Sequence, residues 1–83
     1  MHDRELEVRL AEVRLENSSR LADTSLEAAE IHEHTGTTLL AVRRDDRFLT
    51  NPPTSLVLHV EDVLIALGTP EQLAMLQSHV TEQ

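Results

Sequence analysis

The stretch that most restricts the fold is residues 36–53, GTTLLAVRRDDRFLTNPP. Glycine opens it, an apolar run occupies residues 39–42, a charged turn spans residues 43–47, and residues 48–50 lead back toward a double proline. Glycine commonly ends helices, and proline cannot donate a hydrogen bond to a sheet ladder. The pattern therefore predicts a β-hairpin that follows a helix, and its first strand should be covered on both faces.

Residues 4–16, RELEVRLAEVRLE, fit two structures. As a helix, their leucines and valines would line one side, and most of the residue types are good helix formers. As a strand, the apolar face changes between Leu10 and Ala11, which would require a bulge or a change of packing partner. The family resemblance described below favours a strand over residues 11–16.

Two helices have clear start signals. Thr24 with Glu27 resembles a capping box, and Gly36 would end the helix after residue 35. At the other end of the chain, Thr69 and Gln72 form a second capping box around a proline at the first helical position. The residues expected to face inward are Leu26, Ala29 and Ile31 in the first helix, and Leu73, Leu76 and Val80 in the second.

Between the hairpin and the last helix lie two apolar segments. Residues 55–60, SLVLHV, could be an edge strand or a surface that awaits a partner. His59 could be a buried, pH-sensitive residue, but we favour a position on the polar face of such a strand. Asp62 is expected to fix a turn through side chain–backbone hydrogen bonds. Residues 63–67 then predict a second strand that is apolar on both faces.

Composition restricts the class of protein. Fifteen acidic residues against seven arginines, with no lysine, make binding to nucleic acids or anionic membrane surfaces improbable. No apolar run approaches the ~20 residues of a membrane span, so we expect a soluble chain with no direct membrane insertion. The absence of cysteine fits a reducing cytoplasm. We interpret residues 1–83 as a single domain whose small aliphatic core favours a homodimer.

The candidate ligand-binding residues are Arg43, Arg44, Asn51 and Pro52. Arginine pairs bidentately with phosphate, and a two-fold dimer would present each side chain twice to a symmetric ligand with two phosphates. Asn51 could bind a base edge. The alternative is a solvated hairpin tip whose arginines pair with neighbouring carboxylates, and Arg47, the outermost, is the weakest candidate.

Metal binding and catalysis find little support. His32, Glu33 and His34 are too close in sequence for one helix face, because positions i and i+2 point about 200° apart. No HExxH motif, cysteine pair, or nucleophile with an adjacent base is present. We therefore expect no metal, no catalytic residue and no enzyme.

Taken in order, these elements resemble a known family, the C-terminal domain of regulators of potassium conductance (RCK-C or TrkA-C domain). The resemblance covers roughly residues 8–80. Glycine often stands in that family where this chain has Asp23 and Glu61, and this leaves room for a different turn shape at Glu61. The matching parts are Ser25–Leu26, Gly36, residues 39–44, Asn51–Pro52, Leu58, residues 62–67 and residues 68–73.

The resemblance implies an α+β fold: a small mixed or antiparallel sheet, one helix between strands, a C-terminal helix, and dimerisation. It also implies a cytoplasmic regulatory domain of a potassium channel, transporter or antiporter, which senses a ligand. Its partners would be an upstream Rossmann domain or a membrane-embedded transport subunit. Cyclic di-AMP, held between two copies, is the regulatory ligand of some members.

The chain has two glycines and no GxGxxG motif, so a nucleotide-binding half is not expected within it. It would be either part of a longer protein or a separate subunit. Two alternatives remain open: a structural dimerisation module without a ligand, and a regulatory domain of another cation or anion carrier.

Overall fold

The computed structural model describes residues 7–81. Four strands form one sheet in the order β1-β4-β2-β3, and every neighbouring pair is antiparallel. The predicted α+β fold is confirmed. The strands are β1 (Arg9–Arg14), β2 (Thr38–Arg44), β3 (Arg47–Thr50) and β4 (Val63–Gly68). The helices are α1 (Leu26–Ala29), α2 (Ile31–Thr35) and α3 (Pro70–Thr81).

The N-terminal segment forms a regular edge strand rather than a helix. β1 pairs with β4 without interruption from Arg9 to Arg14, so neither the bulge nor the change of packing partner predicted near Leu10 is present. Alternation along the strand places Val13 and Leu15 in the core, whereas Leu10 on the opposite face is 61% exposed. Both faces therefore carry apolar residues, and this explains the change of parity. Residues 4–6 of the ambiguous segment lie outside the described residues.

The hairpin formed by β2 and β3 is present as predicted, but its turn is shorter than residues 43–47: Arg43, Arg44 and Arg47 belong to the paired strands, and only Asp45 and Asp46 lie in the turn. Asp45 occupies the tight turn with a φ of 57°, a conformation that aspartate tolerates better than most residues. The sheet's irregularity lies in β2, where the register with β4 shifts between Leu39 and Ala41. Leu40 is thus the extra residue of a β-bulge and is partly exposed.

The predicted start of the first helix is wrong by one residue. Ser25, not Thr24, is the N-cap, and its Oγ accepts a hydrogen bond from the backbone N–H of Ala28 at 3.1 Å. The Thr24 hydroxyl instead donates to the carbonyl of Arg20. Both registers offer a hydroxyl three residues before a helical amide, so local sequence alone does not separate them.

The predicted single helix is also interrupted. Glu30 adopts a left-handed conformation (φ 50°, ψ 48°) that separates α1 from α2. Ala29 and Ile31 are both buried, although residues two apart in a continuous helix point to nearly opposite sides. The break turns α2 so that both contact the core. Gly36 ends α2 with a φ of 80°, as predicted.

Residues 55–60 do not form the predicted edge strand. Their backbone pairs instead with the segment before α1: Asp23 N–H donates to Leu58 O at 2.7 Å, and Leu58 N–H donates to Thr24 O at 2.9 Å. Leu58 is fully buried, while Val57 remains partly exposed. The apolar character of the segment therefore reflects an irregular loop in which Leu58 lies in the core and Leu56 packs against it.

The C-terminal helix has the predicted capping box. Thr69 N–H donates to Gln72 Oε1 at 3.0 Å, and Gln72 N–H donates to Thr69 Oγ1 at 3.1 Å. α3 contacts β1, β4 and α2, so the helices cover one face of the sheet. The core is aliphatic, as composition predicted, and its largest fully buried hydrophobic side chains are Leu15, Val42, Leu58, Leu64, Leu76 and Val80. Within residues 7–81 no helix is long and apolar enough to cross a bilayer.

Candidate ligand-binding site

A pocket of about 300 Å³ lies where the two short helices meet the loop that follows β3. Asn51 and Pro52 line it, so two of the four predicted ligand-binding residues share one cavity. α1, α2 and the beginning of β2 complete the walls. The lining residues are Leu26, Glu27, Ile31, His32, Glu33, Leu39, Asn51, Pro52 and Thr54.

Backbone hydrogen bonds hold the walls of this pocket together. Asn51 has a φ of 48°, in the left-handed region that asparagine tolerates, and its N–H donates to Leu40 O at 3.1 Å. Two residues after Pro52, Thr54 O accepts from the N–H of Glu27 at 3.0 Å. The loop is thereby fixed both to β2 and to α1, so the pocket is preformed in a single protomer.

The pocket combines an apolar wall with a few polar groups, as small-molecule sites generally do. Its charged groups are the carboxylates of Glu27 and Glu33, and His32 is the only basic residue in the lining. His32 Nδ1 lies 3.0 Å from the carbonyl oxygen of Thr37. This arrangement suits a flat group that offers hydrogen-bond donors to the carboxylates and both donor and acceptor atoms to the Asn51 amide.

Arg44 faces a different part of the molecule. Its Nε and Nη2 donate to the two carboxylate oxygens of Asp62 at 2.9 and 2.7 Å, and Nη2 also donates to Val57 O at 2.9 Å. Asp62 is 1% exposed and accepts from the N–H of His59 at 2.8 Å, which confirms its predicted turn-fixing role. His59 itself is exposed.

The pair changes the pKa values of both partners. Burial acts to raise the pKa of the Asp62 carboxyl, but the hydrogen bonds from Arg44 and from the His59 N–H outweigh it, and the pKa lies below its ordinary value. The hydrogen bond to Asp62 raises the pKa of Arg44. Both groups are therefore charged at neutral pH, and Arg44 ties the end of β2 to the loop before β4.

Arg43 lies on the opposite face of the sheet from Arg44, because neighbouring residues in a strand point to opposite sides. Its Nη1 lies 3.3 Å from Glu12 Oε1, and its guanidinium lies 6.0 Å from the centre of the Phe48 ring. The structure does not bring Arg43 or Arg44 to the pocket of Asn51 and Pro52. Their contact with a ligand stays a prediction.

The histidines of α2 contact separate groups. His34 Nε2 lies 3.2 Å from a carboxylate oxygen of Glu30, whereas His32 bonds to Thr37. Among residues 7–81 no three histidine, aspartate or glutamate side chains gather in a way that could hold a metal ion.

A buried histidine lies outside the residues that the sequence predicted to face the core. His79 in α3 is 7% exposed, and its Nε2 lies 2.9 Å from the carbonyl oxygen of Ala29. Arg20 donates to its Nδ1 at 3.4 Å, and the His34 ring stacks on it with centroids 4.8 Å apart. His79 follows Leu76 by three positions, so the helical spacing of the apolar stripe would have placed it on the buried face.

The relatives of this chain among known proteins include two potassium channel proteins. Over 63 residues the chain is 38% identical to Potassium channel protein 1 of Methanocaldococcus jannaschii, and over 79 residues it is 37% identical to Probable potassium channel protein 2 of the same organism. These matches cover 76% and 95% of this chain. The chain spans only 19% and 23% of the length of those relatives.

Solved structures with the same fold include two domains with a bound nucleotide. One is described as the RCK_C domain dimer of S. agalactiae BusR in complex with c-di-AMP (TM-score 0.81, 18% identity, 89% of this chain and 97% of that one). The other is the RCK C domain of the potassium transport protein KtrA in complex with c-di-AMP (TM-score 0.80, 22% identity, 89% and 85%). At these identities the likeness establishes the fold.

The family profile described as "TrkA-C domain" matches residues 10–81, which is nearly all of the part that the structure describes. The match begins in β1 and ends at the last residue of α3. The resemblance seen in the sequence is thus confirmed: the chain belongs to the TrkA-C domain family.

Proposed function

We propose that this chain is a cytoplasmic regulatory domain of a potassium channel or transport system, that it acts as a homodimer, and that it binds cyclic di-AMP. Membership of the TrkA-C family and the two potassium channel relatives support the potassium-linked regulatory role. The c-di-AMP complexes of BusR and KtrA support the ligand class.

The observation that carries the ligand proposal is the Asn51–Pro52 pocket. Asparagine can bind adenine in a bidentate manner, since its amide offers a donor to N7 and an acceptor to the N6 amine. Glu27 or Glu33 can accept the second N6 hydrogen, and the apolar wall, including Leu26 and Leu39, can cover the ring. A guanine carries a carbonyl where adenine has the amine, and that oxygen would face the carboxylates unfavourably.

The size of the pocket supports a shared ligand. About 300 Å³ is at the low end for small-molecule sites and suits one nucleoside rather than a whole dinucleotide. In a two-fold dimer each protomer would supply one such pocket, which matches the symmetry of a cyclic dinucleotide.

Calorimetric titration with cyclic di-AMP and cyclic di-GMP tests the proposal, with sedimentation equilibrium for the dimer. We expect binding of cyclic di-AMP at one molecule per dimer and much weaker binding of cyclic di-GMP. Asn51→Asp removes the donor to N7 and should weaken binding by ten- to a hundred-fold, since a bidentate base contact contributes about 1–3 kcal/mol. Asn17→Asp makes the same chemical change at an exposed residue outside the pocket and should leave the affinity unchanged.

Two results would contradict the proposal. Absence of heat with both cyclic dinucleotides, for a folded protein, would favour a dimerisation module without a ligand. A monomer at high micromolar concentration, with and without ligand, would exclude the shared site.

A further inference from the structure

His32 is placed to determine whether the pocket can bind a phosphate group. This role rests on the proposed cyclic dinucleotide function. α1 contributes the charge of Glu27, and α2 contributes Glu33 and His32 itself. The remaining walls, from β2 and the loop after β3, are uncharged: Leu39, Asn51, Pro52 and Thr54. A phosphate bound near this pocket therefore encounters two carboxylates and one imidazole within the same protomer.

Within residues 7–81, no arginine lines the pocket to compensate for its two carboxylates. Arg44 donates to both oxygens of Asp62 and to a backbone carbonyl, and Arg43 lies on the other face of the sheet beside Glu12. Among the lining residues, a positive charge can come from His32 alone.

The hydrogen bond between His32 and Thr37 assigns the state of the ring. A carbonyl oxygen only accepts, so the Nδ1 that lies 3.0 Å from Thr37 O carries a hydrogen. In the neutral ring Nε2 then holds a lone pair, which repels a phosphate oxygen. Only the imidazolium has a hydrogen on both nitrogens and can donate from Nε2 while Nδ1 keeps its bond to Thr37.

We propose that a phosphodiester binds this pocket with His32 protonated, so that binding takes up a proton and the affinity depends on pH. Histidine changes its charge between about pH 5 and 8. The ligand selects the charged form, so the affinity is highest at the acidic end of this range. It falls by up to a hundredfold per pH unit once both histidines of the unliganded dimer are neutral, because each bound ligand then takes up two protons, one per pocket.

The test is calorimetric titration of cyclic di-AMP at half-unit intervals from pH 5.5 to 8.5, in buffers of different ionisation enthalpy. The difference in heat between buffers at one pH counts the protons taken up. For the wild-type chain we expect the Kd to rise at least tenfold between pH 6 and 8, with a measurable proton uptake near the middle of the range.

Two variants at the site and one control isolate the role of His32. His32→Asn keeps a nitrogen donor in the Nδ1 position but cannot be charged, so its Kd should be weak and independent of pH. His32→Arg carries a fixed charge, so its Kd should be tight and independent of pH. His59→Asn removes an exposed histidine outside the pocket and should keep the wild-type profile.

The outcomes separate this inference from the function on which it rests. Binding of cyclic di-AMP with a Kd that does not change from pH 6 to 8, or a His32→Asn profile parallel to the wild type, overturns the proton linkage and leaves the ligand proposal standing. Absence of binding at every pH overturns both.

Discussion

The ion pair between Arg44 and Asp62 should respond asymmetrically to mutation. Asp62 is 1% exposed, whereas the Arg44 side chain is 27% exposed. Arg44→Met would leave a buried carboxylate with one remaining hydrogen bond, from the N–H of His59. Leaving an uncompensated buried charge costs about 3–5 kcal/mol. Because Arg44 is partly exposed and water can reach the gap, we expect a loss of about 3 kcal/mol.

Asp62→Asn should cost less. The asparagine oxygen can still accept from the N–H of His59, and Arg44 can turn toward water while keeping its bond to Val57 O. The expected loss is about 1.5–2 kcal/mol, at the low end of the range of about 1.5–3 kcal/mol for a hydrogen bond to a charged group, because the released Arg44 regains water. Loss of the partly exposed partner should therefore destabilise the fold more than loss of the buried one.

Thermal unfolding followed by far-UV circular dichroism measures these losses, because the chain has no tryptophan or tyrosine to report by fluorescence. In a domain of this size 1 kcal/mol lowers the Tm by roughly 4–8 °C, so Arg44→Met should lower it by about 12–24 °C. Arg43→Met is the matched control, since Arg43 pairs with the exposed Glu12 and such pairs contribute at most about 1 kcal/mol. Protein concentration is held fixed, because dimerisation would shift the Tm.

The pH dependence of stability gives the result that would refute the role assigned to the Arg44–Asp62 pair. The pKa of Asp62 is lowered in the folded protein, so the pair stabilises the fold fully above the ordinary carboxyl value of about 3.9. This stabilisation disappears as the pH falls through the lower folded-state value. The difference in the free energy of unfolding between wild type and Arg44→Met should thus shrink as the pH falls from 7 into the acidic range below about 3.9. A difference that is constant with pH, or no larger than that of Arg43→Met, would contradict the assigned role.

Two further substitutions test the packing around the site. Gly36→Ala should lower stability by about 1–3 kcal/mol, because φ is 80° and the new Cβ would lie 2.9 Å from Nε2 of Gln72; urea unfolding of the same change in a Gln72→Ala background should show a smaller loss, and equal losses would exclude the side-chain clash. Leu58→Ala should cost about 2–5 kcal/mol as a core residue, against less than about 1 kcal/mol for the partly exposed Val60→Ala; similar losses would show that the loop does not belong to the core.

The elements that could be predicted from sequence are those with local chemical signals. The reciprocal bonds of Thr69 and Gln72 and the left-handed Gly36 follow from residue type and spacing alone. The turn at Glu61 keeps a left-handed backbone, φ 76°, although glutamate tolerates it less readily than glycine. There the neighbouring Asp62, bonded to His59 and Arg44, holds the turn.

The predictions that are wrong concern segments in which tertiary packing decides between local structures that the sequence favours equally. The helix breaks at Glu30 because Ala29 and Ile31 both enter the core. Their local sequence does not indicate that both are buried. Residues 55–60 alternate weakly between apolar and polar side chains, as a strand would, yet Leu56 and Leu58 bond to residues 23–26, which lie 30 or more positions earlier in the chain. These bonds involve single residues rather than a regular ladder, so they leave no periodic pattern in the sequence.

Two of the four predicted ligand-binding residues line the pocket, and the geometry of the elements that carry them explains why. Asn51 and Pro52 are adjacent at a corner, so one element carries both to the pocket. Arg43 and Arg44 are adjacent in a strand, so alternation sends them to opposite faces, and the sequence already contained this information. His32 joins the site only through the turn of α2, which no local pattern predicts.

The rigidity of the pocket indicates where regulation would act. The loop is bonded to β2 through Asn51 and to α1 through Thr54, and Arg44 ties β2 to the loop before β4. A ligand can shift an equilibrium only by binding one state better than another. The hydrogen bonds that tie the walls together oppose a change of pocket shape within one protomer. The proposed ligand would therefore discriminate between arrangements of two rigid half-sites. Its effect would pass to a transport subunit through the geometry of the dimer rather than through a change inside the domain.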